Sequence, residues 1–452
     1  MNNQTHTESA FRSASHGVAA EYRGAELAAD LLMRLFKRFP DTLMLRLWNG
    51  ANLRVGADRL SGGDSPFTLV FRNPDAVSSA VLSRDPLALA EAYFRGDLDI
   101  EGDFFAALSI KDHLDALKMS SGEQLRALYT ALRLRVLNAA TQAARATLAP
   151  SHGSHVKDHS KTENRDAIHF HYDVSNEFYA LWLDRAMVYS CAYFESAGMD
   201  LDAAQQAKLE HICRKLLLKP EDSFLDIGCG WGALVIHAAQ HYGVRAHGVT
   251  LSPQQLKVAR ERIEAAGLAD RVSVDLLDYR DLPGAAVYDK VASVGMFEHV
   301  GLKNLPIYFS TVNRLLKPHG LFLNHGITHD SEGWERNLST EFINRYVFPD
   351  GQLDTVSNIQ RVMENSKFEI ADVEALRPHY ALTLRHWVAR LEQNRSRALQ
   401  YVNEATYRVW RLYMAACALQ FESGEIGIYQ VLASKRASGN TALPLTRRHL
   451  YT

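Results

Sequence analysis

Phe224-Leu225-Asp226-Ile227-Gly228-Cys229-Gly230-Trp231-Gly232 is the stretch that decides the fold. A short apolar run ends at Gly228, and a helical pattern begins at Trp231 and runs to about Tyr242. Strand, glycine turn and helix in that order open a nucleotide-binding α/β unit. Glycines let the backbone turn sharply and let a ligand approach without meeting a Cβ. Gly228, Gly230 and Ala233 satisfy a loose dinucleotide pattern. Against that reading, Asp226 stands at the strand end, where its charge repels a pyrophosphate and suits a cationic ligand. The next strand closes on Gly248-Val249-Thr250, with no acid to hold an NAD ribose. S-adenosylmethionine has an ammonium, a sulfonium and no phosphate, and fits better; the alternative is a tight turn with no ligand.

From this unit outward, strand and helix keep alternating. Ala246–Val249 reads as the second strand. Ser252-Pro253 supplies an N-cap and a first-turn proline for a helix reaching Gly267. Val272–Leu276 and Asp289–Val294 follow as strands, then a helix from about Leu305 to Leu316 and a fifth strand at Leu321–Asn324. Phe368–Leu376 and Ile426–Leu432 read as the sixth and seventh strands, the seventh as a hairpin-type edge partner. This spacing predicts a doubly wound parallel sheet with its ligand at the carboxyl ends of the strands. Residues 330–365 and 380–422 read as long helical insertions, material of the kind that builds a lid.

Ahead of the sheet, Leu209, Ile212, Cys213, Leu216 and Leu217 form one face of a helix stopped before Pro220. Residues 171–194 are unusually aromatic, and core packing accounts for some of those rings. The linker 146–167 contains Pro150-Ser-His-Gly-Ser-His and separates this catalytic region, 168–452, from an amino-terminal domain, 1–145. That domain reads as small and α+β: a helix at 24–38, strand-like pieces between 52 and 71, and helix over 87–118 broken at Gly96 and Gly102. The stretch Leu125–Leu148 holds Arg126, Arg133, Arg135 and Arg145 and no acid. A basic amphipathic helix of this kind suits an anionic membrane surface; the other reading is a solvated face between domains.

The chain has 452 residues, 47% of them hydrophobic and 23% charged, with net charge −2. That describes two or three globular domains with no global attraction to nucleic acid. No apolar run reaches bilayer-spanning length and the first thirty residues lack an apolar signal core, so a cytoplasmic location is expected. Cys191, Cys213, Cys229 and Cys417 are scattered without metal-ligand spacing, which points to free thiols and no metal site.

Several stretches together resemble the cyclopropane-fatty-acid synthase family of methyltransferases, with its mycolic-acid relatives. They are HYDVSNEFY (171–179), YSCAYF (189–194), LDIGCGWG (225–232), GVTLSPQQ (248–255), GMFEHVG (295–301) and the histidine of LFLNHGI (321–327). The resemblance weakens in the helical insertions and returns at HYALTLRHW (379–387) and RLYMAACALQF (411–421). DPLALAEAYFRGDLDIEGDF (85–104) is similar to the family's amino-terminal lipid-handling module. A class I methyltransferase fold is implied, and methyl transfer from S-adenosylmethionine to the cis double bond of a phospholipid acyl chain, with proton loss closing a cyclopropane. Cofactor contacts carry over to Tyr189, Ser190, Gly228, Gly230, Thr250, Leu251 and Gln255, with Asp278 and Tyr279 beside the adenine; Asp226 joins them on its charge. The family's bicarbonate base maps to Glu298, His325, Tyr380 and the backbone around Cys191. A homodimer is a feature of some members only. His379 departs from the acid common before the tyrosine, and Glu425–Tyr429 departs from a common tryptophan-containing run.

Chemistry supports that set. An alkene is a weak nucleophile, so water must be excluded and a carbocation stabilised, to which aromatic faces contribute about 1–2 kcal/mol each when desolvated. Tyr172, Tyr193, Phe194 and Tyr380 are the candidates, and a base must then reach the departing proton. Glu298 follows the fourth strand and His325 the fifth, so both are expected at the sheet's active edge. The expected partner is an unsaturated phospholipid at the inner face of the plasma membrane, met electrostatically by the arginine helix and by the tail 426–452 with Lys435, Arg436, Arg447 and Arg448. Two other readings stay open: a C-methyltransferase forming branched or furan-precursor acyl chains, and a catalytically silent lipid-binding protein on the same scaffold.

Overall fold

In the computed structural model the strand Ser223–Ile227 (β5) lies in the interior of a seven-stranded sheet. The structure describes residues 22–56, 65–83, 87–110, 113, 120–148, 174–331, 341–342, 345–346, 352–439 and 443–451. The other strands of this sheet are β6 (Arg245–Thr250), β7 (Val272–Leu276), β8 (Tyr288–Val294), β9 (Leu316–His329), β10 (Phe368–Ala375) and β11 (Ile426–Lys435). Their order is β10-β11-β9-β8-β5-β6-β7. All neighbours from β9 to β7 pair in parallel, while β11 runs antiparallel to both β9 and β10. The expected doubly wound sheet is therefore present, with one correction. The seventh strand is not an edge: β11 is inserted between β9 and β10, and its nearly continuous burial suits a position covered on both sides.

Alternation along β5 explains the two layers. Phe224 points into a cluster with Leu209, Ile212, Leu216, Val235 and Ile263, from the helices Leu201–Lys215, Ala233–Tyr242 and Pro253–Ala265. Leu225 and Ile227 point the opposite way, toward Phe309, Val312, Ile359 and Met363 of the helices Leu305–Leu315 and Val356–Asn365. Period-two side chains divide one strand between two cores, and each fully buried large side chain contributes about 1.5–3 kcal/mol. Asp226 shares its parity with Phe224 and so faces the layer that holds the helix Leu201–Lys215.

Local signals also set the helix starts. Ser252 accepts from the Gln255 amide, with Pro253 in the first turn. The helix after β5 begins at Ala233 rather than Trp231, because Gly232 occupies the cap in the left-handed region at φ 82°. The fifth strand is much longer than its apolar run, reaching His329, so His325 lies inside β9 and pairs with both Val294 and Gln430.

Contacts divide the chain into two units, residues 1–170 with 403–410, and 171–402 with 411–452. The first unit has a sheet in the order β2-β1-β3-β4, from β1 (Leu43–Arg46), β2 (Asn52–Val55), β3 (Phe67–Phe71) and β4 (Leu98–Gly102). The strand β4 corrects the helical reading of 87–118: among the described residues there, only Ala88–Arg95 and Phe104–Leu108 are α-helical. Leu98 and Ile100 turn to the core and alternate with Asp99 and Glu101, and the strand is completed by backbone pairing with β3. The helix Ser121–Leu148 overruns the expected start of the linker at 146. Most of the linker, together with Tyr172, lies outside the described residues.

Candidate active site

A cavity of about 800 Å³ opens at the carboxyl ends of β5, β6 and β8. All ten sequence-assigned cofactor residues line it: Tyr189, Ser190, Asp226, Gly228, Gly230, Thr250, Leu251, Gln255, Asp278 and Tyr279. Gly228 and Gly230 have φ of 80° and 55°. A Cβ at Gly230 would meet no protein atom within 4 Å, so this glycine leaves space on the cavity side rather than accommodating a neighbour. Amides of Gly228 and Cys229 both donate to the Val249 carbonyl at 3.0 Å, tying the turn to β6. Thr250 Oγ1 donates to Gln255 Oε1 at 2.8 Å. Asp278 is held by Arg280 at 2.6 Å, and that hydrogen bond keeps its carboxyl below the ordinary value.

Asp226 is buried with Oδ1 lacking a hydrogen-bond partner, and desolvation pushes its carboxyl up to about 7 against the opposing charge of Lys208. Lys208 also lines the cavity, and burial brings its ammonium down to about 8. It donates to Ser190 Oγ at 2.9 Å, while Gln205 donates to the Ser190 carbonyl at 2.8 Å. A buried acid with an open oxygen, backed by a buried lysine, fits a ligand that brings its own positive charge. Neither Lys208 nor Gln205 belongs to any motif. Their one signal is spacing, since both fall on the apolar face that carries Leu209 and Ile212.

A second polar group is assembled between β8, β9 and the helix Arg377–Gln393. Glu298 is in the short turn Phe297–His299 after β8, and its Oε1 accepts from the Ile327 amide at 2.7 Å. Its Oε2 is buried without a partner, and burial pushes the carboxyl up to about 7. His325 is 1% exposed and held well below its ordinary pKa by burial, hence neutral. Its Nδ1 faces Gln430 Nε2 at 3.2 Å, and its Nε2 has no partner. With the amide donating, the imidazole proton lies on Nε2 and is available to an acceptor. The Tyr380 phenol is pushed up by burial and further by the neighbouring Cys191 and Glu298. Tyr380 and Cys191 share an anchor, the Leu376 carbonyl, which accepts from the Tyr380 amide at 3.2 Å and the Cys191 thiol at 3.8 Å. The thiol itself is raised by burial and stays protonated. The amide of Ala192 is already committed to Thr383 Oγ1 at 3.0 Å.

Glu298, Tyr380 and Cys191 are thus neighbours, and His325 lies two residues along β9 from Ile327, which holds Glu298, while two of the aromatic candidates lie away from the cavity. The Tyr193 ring is sandwiched between the imidazoles of His211 and His379, at centroid distances of 4.3 and 4.9 Å. Phe194 stacks on His386 at 5.5 Å, and neither ring lines the cavity. The aromatic faces at the site come from elsewhere. A run of contacts passes from Trp231 to Tyr179, Tyr189, Trp387, Tyr380 and Phe421, with successive centroids 5.2, 5.6, 5.4, 5.9 and 4.8 Å apart. It joins the cavity to the Glu298 group. Gly326 follows the histidine of LFLNHGI, and the sequence assigns it no role: a Cβ there would run into the Phe297 ring, so this glycine lets the turn bearing Glu298 lie against β9.

Fold and cavity together define a class I S-adenosylmethionine-dependent methyltransferase. The family model for mycolic acid cyclopropane synthetase matches residues 159–431, and the chain belongs to that family. A probable fatty acid methyltransferase of Pseudomonas putida is 42% identical over 416 residues, 90% of this chain and 96% of that protein. The cyclopropane-fatty-acyl-phospholipid synthase of Escherichia coli (strain K12) is also 42% identical, over 265 residues, 59% of this chain and 66% of its own length. Among solved structures, mycolic acid cyclopropane synthase CmaA1 complexed with SAH and CTAB aligns with TM-score 0.55 and 33% identity, over 60% of this chain and 98% of that one.

Proposed function

We propose that the chain transfers a methyl group from S-adenosylmethionine to the cis double bond of an unsaturated phospholipid acyl chain, and that proton loss closes a cyclopropane. The observation that carries this reading is the buried Glu298–His325–Tyr380 group, with Glu298 Oε2 and His325 Nε2 open, reached from the cofactor cavity along a run of aromatic rings. Asp226 and the glycine turn would hold the cationic cofactor, which supplies an electrophilic methyl group. The alkene π electrons form the new C–C bond as the C–S bond breaks, leaving a carbocation on the acyl chain. Tyr189, Trp387 and Tyr380 present π faces where that charge develops, each contributing about 1–2 kcal/mol once water is excluded.

An acceptor at Glu298 and donors at His325 Nε2 and Tyr380 fit a small anion that carries one hydroxyl, as bicarbonate does. Bound there, bicarbonate would supply the base for the proton leaving the transferred methyl. Glu298 would orient that hydroxyl, His325 and Tyr380 would hold the other oxygens, and the rings would keep bulk water from the cation.

A second reading has its own support. The relative aligned over 90% of the chain is named a probable fatty acid methyltransferase, whereas the one named a cyclopropane synthase aligns over 59%. A C-methyltransferase would lose its proton from a neighbouring carbon and leave a branched, unsaturated chain of the same mass. Proton NMR of lipids from cells expressing the chain separates the two, since only a cyclopropane has strongly shielded ring hydrogens. Absence of S-adenosylhomocysteine formation with any unsaturated phospholipid would overturn both.

A further inference from the structure

The helix Ser121–Leu148 buries Ala127, Ala131 and Leu134 in the core of the amino-terminal unit, each at most 2% exposed. On the same helix Leu125, Leu128, Tyr129, Leu132 and Val136 are 42–70% exposed. At about 100° per residue these five form a stripe about 100° wide, centred roughly opposite the buried face. Arg126 and Arg133 flank it on one side, about 80–100° from its centre, and Arg135 on the other, about 80° away. All three are exposed, and Arg133 lies over the Tyr129 ring at 5.7 Å. No Asp or Glu occurs from Gln124 to Leu148.

We infer that this outward face is an in-plane membrane anchor, its apolar stripe seated among the acyl chains of an anionic leaflet and its arginines at the phosphates. Water gains nothing from five large apolar side chains on one face, and a lipid surface takes up both parts of the pattern: chains for the stripe and negative headgroups for its shoulders. The charge decides against a second copy of the chain, because pairing the same face with itself sets arginines against arginines with no acid between them. The carboxyl-terminal basic residues are less suited. Lys435 is committed to the carbonyls of Asn313 and Leu316, Arg436 to the Phe368 carbonyl, and Arg447 to Asp372. Arg126, Arg133 and Arg135 have side chains turned to solvent beside the stripe. Each arginine near an anionic surface is worth about fivefold in partition.

The inference rests on the proposed reading only for the choice of lipid, and its test needs neither turnover nor cofactor. Full-length protein is sedimented with fluid-phase vesicles of saturated phosphatidylglycerol and phosphatidylcholine, which have no double bond to react. The Leu128→Asp/Leu132→Asp variant is expected to lose at least tenfold in partition while keeping its melting temperature and its activity on detergent-dispersed unsaturated lipid. Because the four native cysteines are buried, Tyr129→Cys can be labelled selectively with an environment-sensitive dye. The dye is expected to shift to the blue on vesicle binding and to be quenched by bromines on the acyl chains. Unchanged partition of the double variant, or a dye that stays in water on bound protein, overturns the anchor. So does conversion of an oligomer to monomers by the double variant with vesicle binding intact, which would make the stripe a self-association surface. Loss of turnover with normal vesicle binding refutes the proposed reaction and leaves the anchor standing.

Discussion

Replacing Glu298 with glutamine should cost the protein its reaction and add to its stability. The side chain is buried, with Oε1 tied to the Ile327 amide at 2.7 Å and Oε2 without a partner. In Glu298→Gln the amide oxygen keeps the Ile327 bond, which places an NH₂ donor where Oε2 offered an acceptor. Losing an aligned base or its orienting group typically costs about 10²–10⁴ in rate, or about 3–5 kcal/mol of barrier. Glu298 does not line the cofactor cavity, so S-adenosylmethionine affinity should stay within about twofold of the parent protein. Burial raises the carboxyl from 4.5 to about 7. Below pH 4.5 the group is protonated in folded and unfolded chains alike. Between 4.5 and 7 the unfolded chain ionises first and pulls the equilibrium toward itself, so the native protein loses up to about 3 kcal/mol across that window. The neutral amide does not, and Glu298→Gln should melt higher than the parent at pH 8 and alike at pH 4. Turnover of the parent should rise with pH through about 7, and this limb should be missing in the variant. Calorimetry, thermal melts at the two pH values and a pH–rate profile test all of it. Near-parental turnover, or a variant less stable than the parent at pH 8, refutes the reasoning about this residue.

Gly230→Val should abolish measurable S-adenosylmethionine binding in a folded protein, because the side chain would occupy the open cavity side of a residue at φ 55°; titration calorimetry checks this. Gln430→Leu removes the partner of His325 Nδ1, and we expect about a tenfold fall in kcat with KM unchanged. Nitrogen NMR of labelled histidine should show the His325 tautomer becoming mixed, which a purely structural role for Gln430 would not produce. Gly326→Ala forces the Phe297–Glu298 turn off β9, costing about 1–3 kcal/mol in a thermal melt. Turnover should fall in that variant while cofactor affinity holds.

The cofactor half of the site is legible in the chain because its signals are local. Gly228 and Gly230 stand next to the strand they terminate, Ser252 caps the helix it precedes, and Asp226 is marked by being an acid at the end of an apolar run. Each depends on backbone conformation or periodicity within a few residues, which one segment can specify alone. Where β11 pairs, and that β4 is a strand at all, depend on hydrogen bonds to segments remote in the chain. Leu98-Asp99-Ile100-Glu101 does alternate with period two, but four residues between two glycines are too short a run to separate strand from helix without the partner β3. The same holds for Tyr193 and Phe194. Their chemistry suits a carbocation, yet histidines 18 to 192 positions away take up their faces. Tyr179 lines the cavity instead, with Trp387 reached from it through Tyr189, and the surroundings of Lys208, Gln430 and Gly326 come only from what packs against them. Residue types along a chain settle which chemistry is available; long-range packing settles which copies of each type are desolvated together, and desolvation is what turns an ordinary carboxylate, imidazole or ring into part of a site.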